Sequence, residues 1–145
     1  MLAMSEKETR VNSDLAPGLR ATRRVDIDAN RTISFMGDEC RVYSTPNLLL
    51  DIESTCRDFL LQHVGPGNDS VGTRVELDHT GATLLGMWAE IEVTVTEVNG
   101  PAVSFDFVVR DPLEQVARGH HKRFVVGVEK TAQRLAAKRA RLAGN

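Results

Sequence analysis

The sequence predicts an α+β fold: an antiparallel sheet of about five strands covered on one face by a long central helix, with a second, basic helix at the C-terminus. Three observations carry this. Between Thr45 and His63, apolar residues recur at helical spacing. Four later segments alternate apolar and polar residues with period two and are joined by hairpin-type turns. The length of 145 residues, with 41% apolar and 26% charged content, suits one domain with one core.

Residues 1 to about 20 are polar and end in Ala16-Pro17-Gly18, which reads as an unpacked, flexible leader, so the single domain is expected over residues 21–145. From Arg24 to Phe35, Val25 and Ile27, then Ile33 and Phe35, fall two apart, a strand interrupted near Asn30. Ser44-Thr45-Pro46 marks a helix start, with Thr45 as N-cap and Pro46 at the first helical position, where no N–H is needed. Leu49, Ile52, Cys56, Phe59 and Leu60 then form an apolar stripe, opposed by Asp51, Ser54, Asp58 and Gln62, until Gly65-Pro66-Gly67 stops the helix.

Beyond it, Val75, Leu77 and His79 share one strand face, and Met87, Ala89, Ile91, Val93 and Val95 share the next. Asn99-Gly100 turns the chain into Val103, Phe105, Phe107 and Val109, and Asp111-Pro112 leads to a last strand through Val126. Hairpin-joined strands imply an antiparallel sheet, and one-sided alternation requires a cover, for which the first helix is the obvious candidate. The closing helix, about Val128 to Leu142, carries Lys130, Arg134, Lys138, Arg139 and Arg141 against Glu129. A solvated face is the bland reading of that run; contact with phosphates is the sharper one.

Charge and motifs exclude several classes. A net charge of −2 lacks the basic face that nucleic-acid binding needs, so no nucleic-acid partner is expected. No stretch reaches membrane-span length and MLAMSEKETR has no signal-peptide core, so no membrane association and a cytoplasmic location are expected. Cys40 and Cys56 lack partner spacing and read as free thiols. Four His and two Cys do not assemble into metal-ligand spacing, and no phosphate loop, dinucleotide fingerprint or nucleophile elbow occurs. No metal and no cofactor are expected.

Polar groups on apolar faces are where chemistry is sought. At helical pitch Glu53 lies within roughly 60° of the centre of the apolar stripe, so its carboxylate aims at the core. His79 continues the Val75, Leu77 face toward the same helix. Together they form a possible acid/base unit in one helix-on-sheet interface. Each also has a structural reading: Glu53 at the stripe's edge reaching solvent past Arg57, and His79 as a satisfied core residue. Thr45 adds a hydroxyl, and the helix N-terminus adds backbone donors for a developing oxyanion; alone, Thr45 reads as a cap.

Three blocks in register resemble the fluoroacetyl-CoA thioesterase-like family. They are Thr45-Pro46 with Glu53, then Val71-Gly72-Thr73-Arg74-Val75-Glu76-Leu77-Asp78-His79, then Gly119-His120-His121-Lys122-Arg123. The family pattern is T-P-x-x-x-x-x-x-E, V-G-T-x-V-x-V-x-H and G-T-H-E-R, and the likeness covers about residues 24 to 130. It implies the hot-dog fold, a homodimer, and hydrolysis of a short or medium acyl-CoA at the dimer interface, with coenzyme A entering only as part of the substrate. Thr45, Glu53 and His79 fall on the family's catalytic residues. Gly72 falls on a glycine lining the acyl site, and Arg123, with His121 beside it, on the edge that meets substrate or CoA. The segment Met36-Gly37-Asp38-Glu39-Cys40 lacks the family's lid phenylalanine, so the likeness does not imply fluoroacetyl specificity. The competing expectation is a hot-dog protein that binds acyl-CoA or another small apolar ligand without turnover.

Overall fold

The computed structural model describes residues 11–144. Strand β1 (Arg20–Asp26) is followed by a small hairpin of β2 (Thr32–Ile33) and β3 (Val42–Tyr43), with single 3-10 turns at Ala29–Arg31 and Asp38–Cys40. Then come helix α1 (Thr45–Leu61), the long strands β4 (Asn68–His79), β5 (Trp88–Asn99), β6 (Ala102–Arg110) and β7 (Gln115–Gly127), and helix α2 (Val128–Ala143). The main sheet has the order β1-β5-β6-β7-β4 and every pair in it is antiparallel.

Alternation decides what meets the helix. Ala89, Ile91, Val93 and Val95 on β5 and Val103, Phe105, Phe107 and Val109 on β6 are buried, while their neighbours in sequence face outward. Leu48, Ile52, Cys56, Phe59 and Leu60 of α1 pack into that surface, and Phe59 meets Phe105 edge-on at 6.2 Å. The buried position at the first turn is Leu48 rather than Leu49, which is only partly covered.

Two expectations change. The segment from Val11 to Leu19 is packed rather than loose. Leu15 is only 5% exposed in the core, Asn12 N–H donates to the His63 carbonyl (2.8 Å), and Gly18 N–H donates to the Val95 carbonyl (2.8 Å). An apolar residue and paired backbone groups inside a polar stretch bind it across the end of α1. The expected leader residues 1–10 lie outside the described residues. The interrupted strand is also two elements: Val25 and Ile27 are buried, whereas Phe35 is 87% exposed, because the chain leaves the sheet at Asp26.

The sheet's edges are β1 and β4, and β4 has no strand partner opposite β7 among the described residues. Along it Val71 and Val75 are 45% and 39% exposed. A twelve-residue edge with exposed apolar side chains is an open template for further pairing. Helix α2 continues directly from β7 and contains no buried residue; among the described residues no helix is long and apolar enough to cross a membrane.

Candidate active site

Thr45 and His79 meet. The helix N-cap is Ser44, not Thr45: Ser44 has extended backbone and its Oγ accepts from Asn47 N–H at 3.3 Å. This leaves the Thr45 hydroxyl unused by capping, and Thr45 Oγ1 lies 2.8 Å from His79 Nδ1. Pro46 has no N–H and that of Asn47 is capped, so the Thr45 N–H is the uncapped donor of the first helical turn. Burial lowers the His79 pKa below its ordinary value, with the Gly81 backbone partly offsetting it. His79 Nε2 is buried without a hydrogen-bond partner among the described residues. The pair forms one wall of a cleft of about 260 Å³ lined further by Ile33, Val42, Thr80, Gly81 and Ala82.

The segment carrying Thr45 is tied to the body of the protein by ion pairing. Asp51, on the second turn of α1, accepts from Tyr43 Oη at 2.5 Å and from Arg31 Nε at 2.9 Å. Tyr43 is almost fully buried, and burial followed by the Asp51 bond drives its pKa far above the ordinary value, so it stays a donor.

Glu53 lies two turns along α1, in different company. Its Oε2 is 3.4 Å from Arg123 Nη1, and its side chain is 39% exposed against 5% for Arg123. A Cβ added at Gly72 would lie 2.6 Å from that same oxygen and 3.1 Å from His121 Cε1, so the carboxylate occupies space that only glycine leaves open. Gly72 faces inward because Thr73 is an extra residue in β4: the pairing passes from Gly72 opposite Arg123 directly to Arg74 opposite Lys122. Arg123 is further held by Ser70, with Nε donating to Oγ (2.7 Å) and Nη2 to the carbonyl (2.9 Å). Burial lowers the guanidinium's pKa and Glu53 partly restores it.

Two sequence expectations are thereby revised. Glu53 and His79 do not pair: Glu53 faces Arg123, His79 faces Thr45, and the eight helical residues from Thr45 to Glu53 span roughly 12 Å. His121 and Arg123 are not exposed rim residues. Strand alternation turns both inward, where they are 3% and 5% exposed and bonded to Arg74, Ser70, Glu53 and each other. Sequence reasoning missed Ser70, which anchors Arg123; a serine two residues before a glycine in a strand gives no signal of that role.

Other reactive groups are accounted for. Burial pushes the Cys56 thiol up to about 12, which removes it as a nucleophile near neutral pH. A depression of about 390 Å³ opens on the sheet's outer face among Arg74, Glu76, Asp106, His120 and Lys122. Within it His120 Nδ1 lies 2.5 Å from Asp106 Oδ1, and Arg74 pairs with Glu76. Among the described residues no cluster of three or more His, Cys, Asp or Glu is placed to hold a metal.

The model of the fluoroacetyl-CoA-specific thioesterase family matches residues 27–129. The curated fluoroacetyl-CoA thioesterase of Streptantibioticus cattleyicolor is 27% identical over 89 residues, 61% of this chain and 64% of that protein, so the match spans less than two thirds of that relative. A solved variant of the fluoroacetyl-CoA-specific thioesterase, in complex with fluoroacetate and CoA, superposes with a TM-score of 0.75 at 23% identity, covering 81% of this chain and 99% of that one. A thioesterase-superfamily protein of Thermus thermophilus superposes at 0.83 with 18% identity over 92% and 99% of the two chains. These superpositions show the hot-dog fold, in which the sheet wraps α1. With the family model spanning most of its length, the chain belongs to the fluoroacetyl-CoA-specific thioesterase family.

Proposed function

We propose that the protein is an acyl-CoA thioesterase that hydrolyses a short or medium acyl-CoA in a site completed by a second copy of the chain. The observation that carries this is the division of the reacting groups into two clusters on one chain, Thr45 with His79 and Glu53 with Gly72. Gly72 lies near the start of β4 and His79 at its end. Antiparallel pairing of the free β4 edge with its symmetry mate runs the Gly72 end of one copy past the His79 end of the other. It also covers Val71 and Val75. Each dimer then has two sites, each taking Thr45 and His79 from one copy and Glu53 and Gly72 from the other.

In such a site the thioester carbonyl lies near the Thr45 N–H, which stabilises negative charge on its oxygen. Glu53 takes a proton from water as the water oxygen bonds to the acyl carbon, or attacks that carbon itself to give a mixed anhydride that water then cleaves to the free acid, restoring the carboxylate. The C–S bond breaks and CoA leaves as the thiol, with His79 placed for proton transfer. The exposed thiol of Cys40 and the unpaired Cys56 suit a reducing cytoplasm.

Thiol detection across a panel of acyl-CoA esters tests the activity. Turnover of at least one short or medium ester is expected; a melting temperature raised by acyl-CoA with no thiol released supports the ligand-binding alternative instead. The pH profile follows from His79. Its lowered pKa keeps the ring neutral at neutral pH. If the neutral ring is the working form, kcat/KM rises with pH through an apparent value below the ordinary histidine range and is level at neutral pH. A His79-dependent rise centred above that range contradicts the assignment.

A further inference from the structure

Behind Glu53 lies a buried imidazole that the reaction above does not use. His121 Nδ1 is 2.9 Å from the Arg74 carbonyl oxygen, and its Nε2 is 3.1 Å from Arg123 Nη1. A carbonyl oxygen can only accept and a guanidinium can only donate. Nδ1 therefore carries the proton and Nε2 the lone pair. The other neutral tautomer would set a lone pair against the Arg74 carbonyl and an N–H against the guanidinium. The charged ring would also set N–H against N–H and place a second positive charge beside Arg123.

The two protons of Arg123 Nη1 then have separate acceptors, His121 Nε2 and Glu53 Oε2, while Ser70 holds Nε and Nη2. We propose that His121 is a positioning residue for Glu53: fixed as the neutral Nδ1–H tautomer, it takes one Nη1 proton and directs the other at the carboxylate, and its protonation undoes that aim. This rests on the reading of Glu53 as a reacting group. The charged groups around the pair agree with a neutral ring. Burial, and after it Arg123, disfavours protonation; the Arg74 backbone and Glu53 act in the opposite direction without reversing the shift. Asp69, which pairs with Arg57, acts on Arg123, and Cys56 on the same side stays a neutral thiol.

Two measurements on the full chain test the proposal. Nitrogen-15 NMR of the imidazoles, with His121 assigned through His121→Gln, is expected to show a neutral ring protonated at Nδ1 at neutral pH. A ring protonated at Nε2, or charged, overturns it. Because this reading needs no turnover, it separates failure of the tautomer from failure of the thioesterase assignment. In steady-state assays His121→Phe, which offers Arg123 no acceptor, is expected to lower kcat about tenfold, the equivalent of one charged hydrogen bond, with KM little changed. His121→Gln offers an acceptor and a donor but does not titrate, so it should recover most of that loss and shift the acid limb of the kcat profile to lower pH. Wild-type kcat in His121→Phe, or an equal loss and an unmoved acid limb in His121→Gln, overturns the proposal. Should the Phe variant fail to fold, the Gln variant and the tautomer decide the matter.

Discussion

Replacing Glu53 with glutamine is expected to lower kcat for acyl-CoA hydrolysis by about 10²–10⁴-fold, the range associated with loss of a positioned proton-transfer group. The amide is isosteric and retains an acceptor for Arg123 Nη1, 3.4 Å away, but supplies neither a base nor a nucleophile. The unfolding midpoint should therefore stay near that of the wild type. Glu53→Ala should be equally inactive but less stable, since it removes the carboxylate facing a guanidinium that is only 5% exposed. Steady-state thiol release beside a denaturant titration separates the two effects, and undiminished turnover in either variant would remove Glu53 from the mechanism.

The second large effect is expected at Gly72. Its substitution by alanine places a methyl group 2.6 Å from Glu53 Oε2, inside van der Waals contact. The atom that must move most is the far end of a flexible side chain, 39% exposed, and the His121 ring, 3.1 Å from the new methyl, needs to give by only a few tenths of an ångström, so the fold accommodates the change. The carboxylate cannot yield without leaving its place against Arg123, and a displacement of this size is enough to lower turnover by about 10²-fold. Gly72→Ala should thus show nearly normal melting and a large loss of kcat. A loss of stability with kcat per folded molecule unchanged would mean that the glycine serves packing alone.

Much of this arrangement is legible in the sequence, and the parts that are not share a cause. Strand faces on β5 and β6 follow from strict alternation, and α1 follows from its stripe and the Gly65-Pro66-Gly67 stop, because local periodicity reports burial directly. Glu53 and His79 stand out as polar interruptions of those patterns. Gly72 cannot be placed the same way. Counting in twos from Val75 and His79 puts it on the outer face, and only the extra residue Thr73 brings it inward, a feature that pairing with β7 creates. The capping role moves from Thr45 to Ser44 for a similar reason: both residue types cap helices, and the Arg31 carbonyl that receives the Ser44 N–H decides where the helix begins. Val11 to Leu19 reads as loose because it continues a polar stretch, while Leu15 enters the core and Val11 and Leu19 pack partly buried against it. Arg123 and His121 read as surface residues by type. Their burial depends on Ser70, Arg74 and Glu53, contacts between segments far apart in sequence.

The division of labour between two copies can be tested directly by mixing two inactive variants. His79→Ala retains Glu53, and Glu53→Gln retains Thr45 and His79. After co-refolding in equal amounts, half of the dimers are mixed and each mixed dimer holds one intact site, so about one quarter of the wild-type rate of thiol release should return. If all reacting groups acted within one chain, every site in the mixture would lack one of them. Recovery to about that level is the result expected, and a mixture as inactive as its components would contradict it.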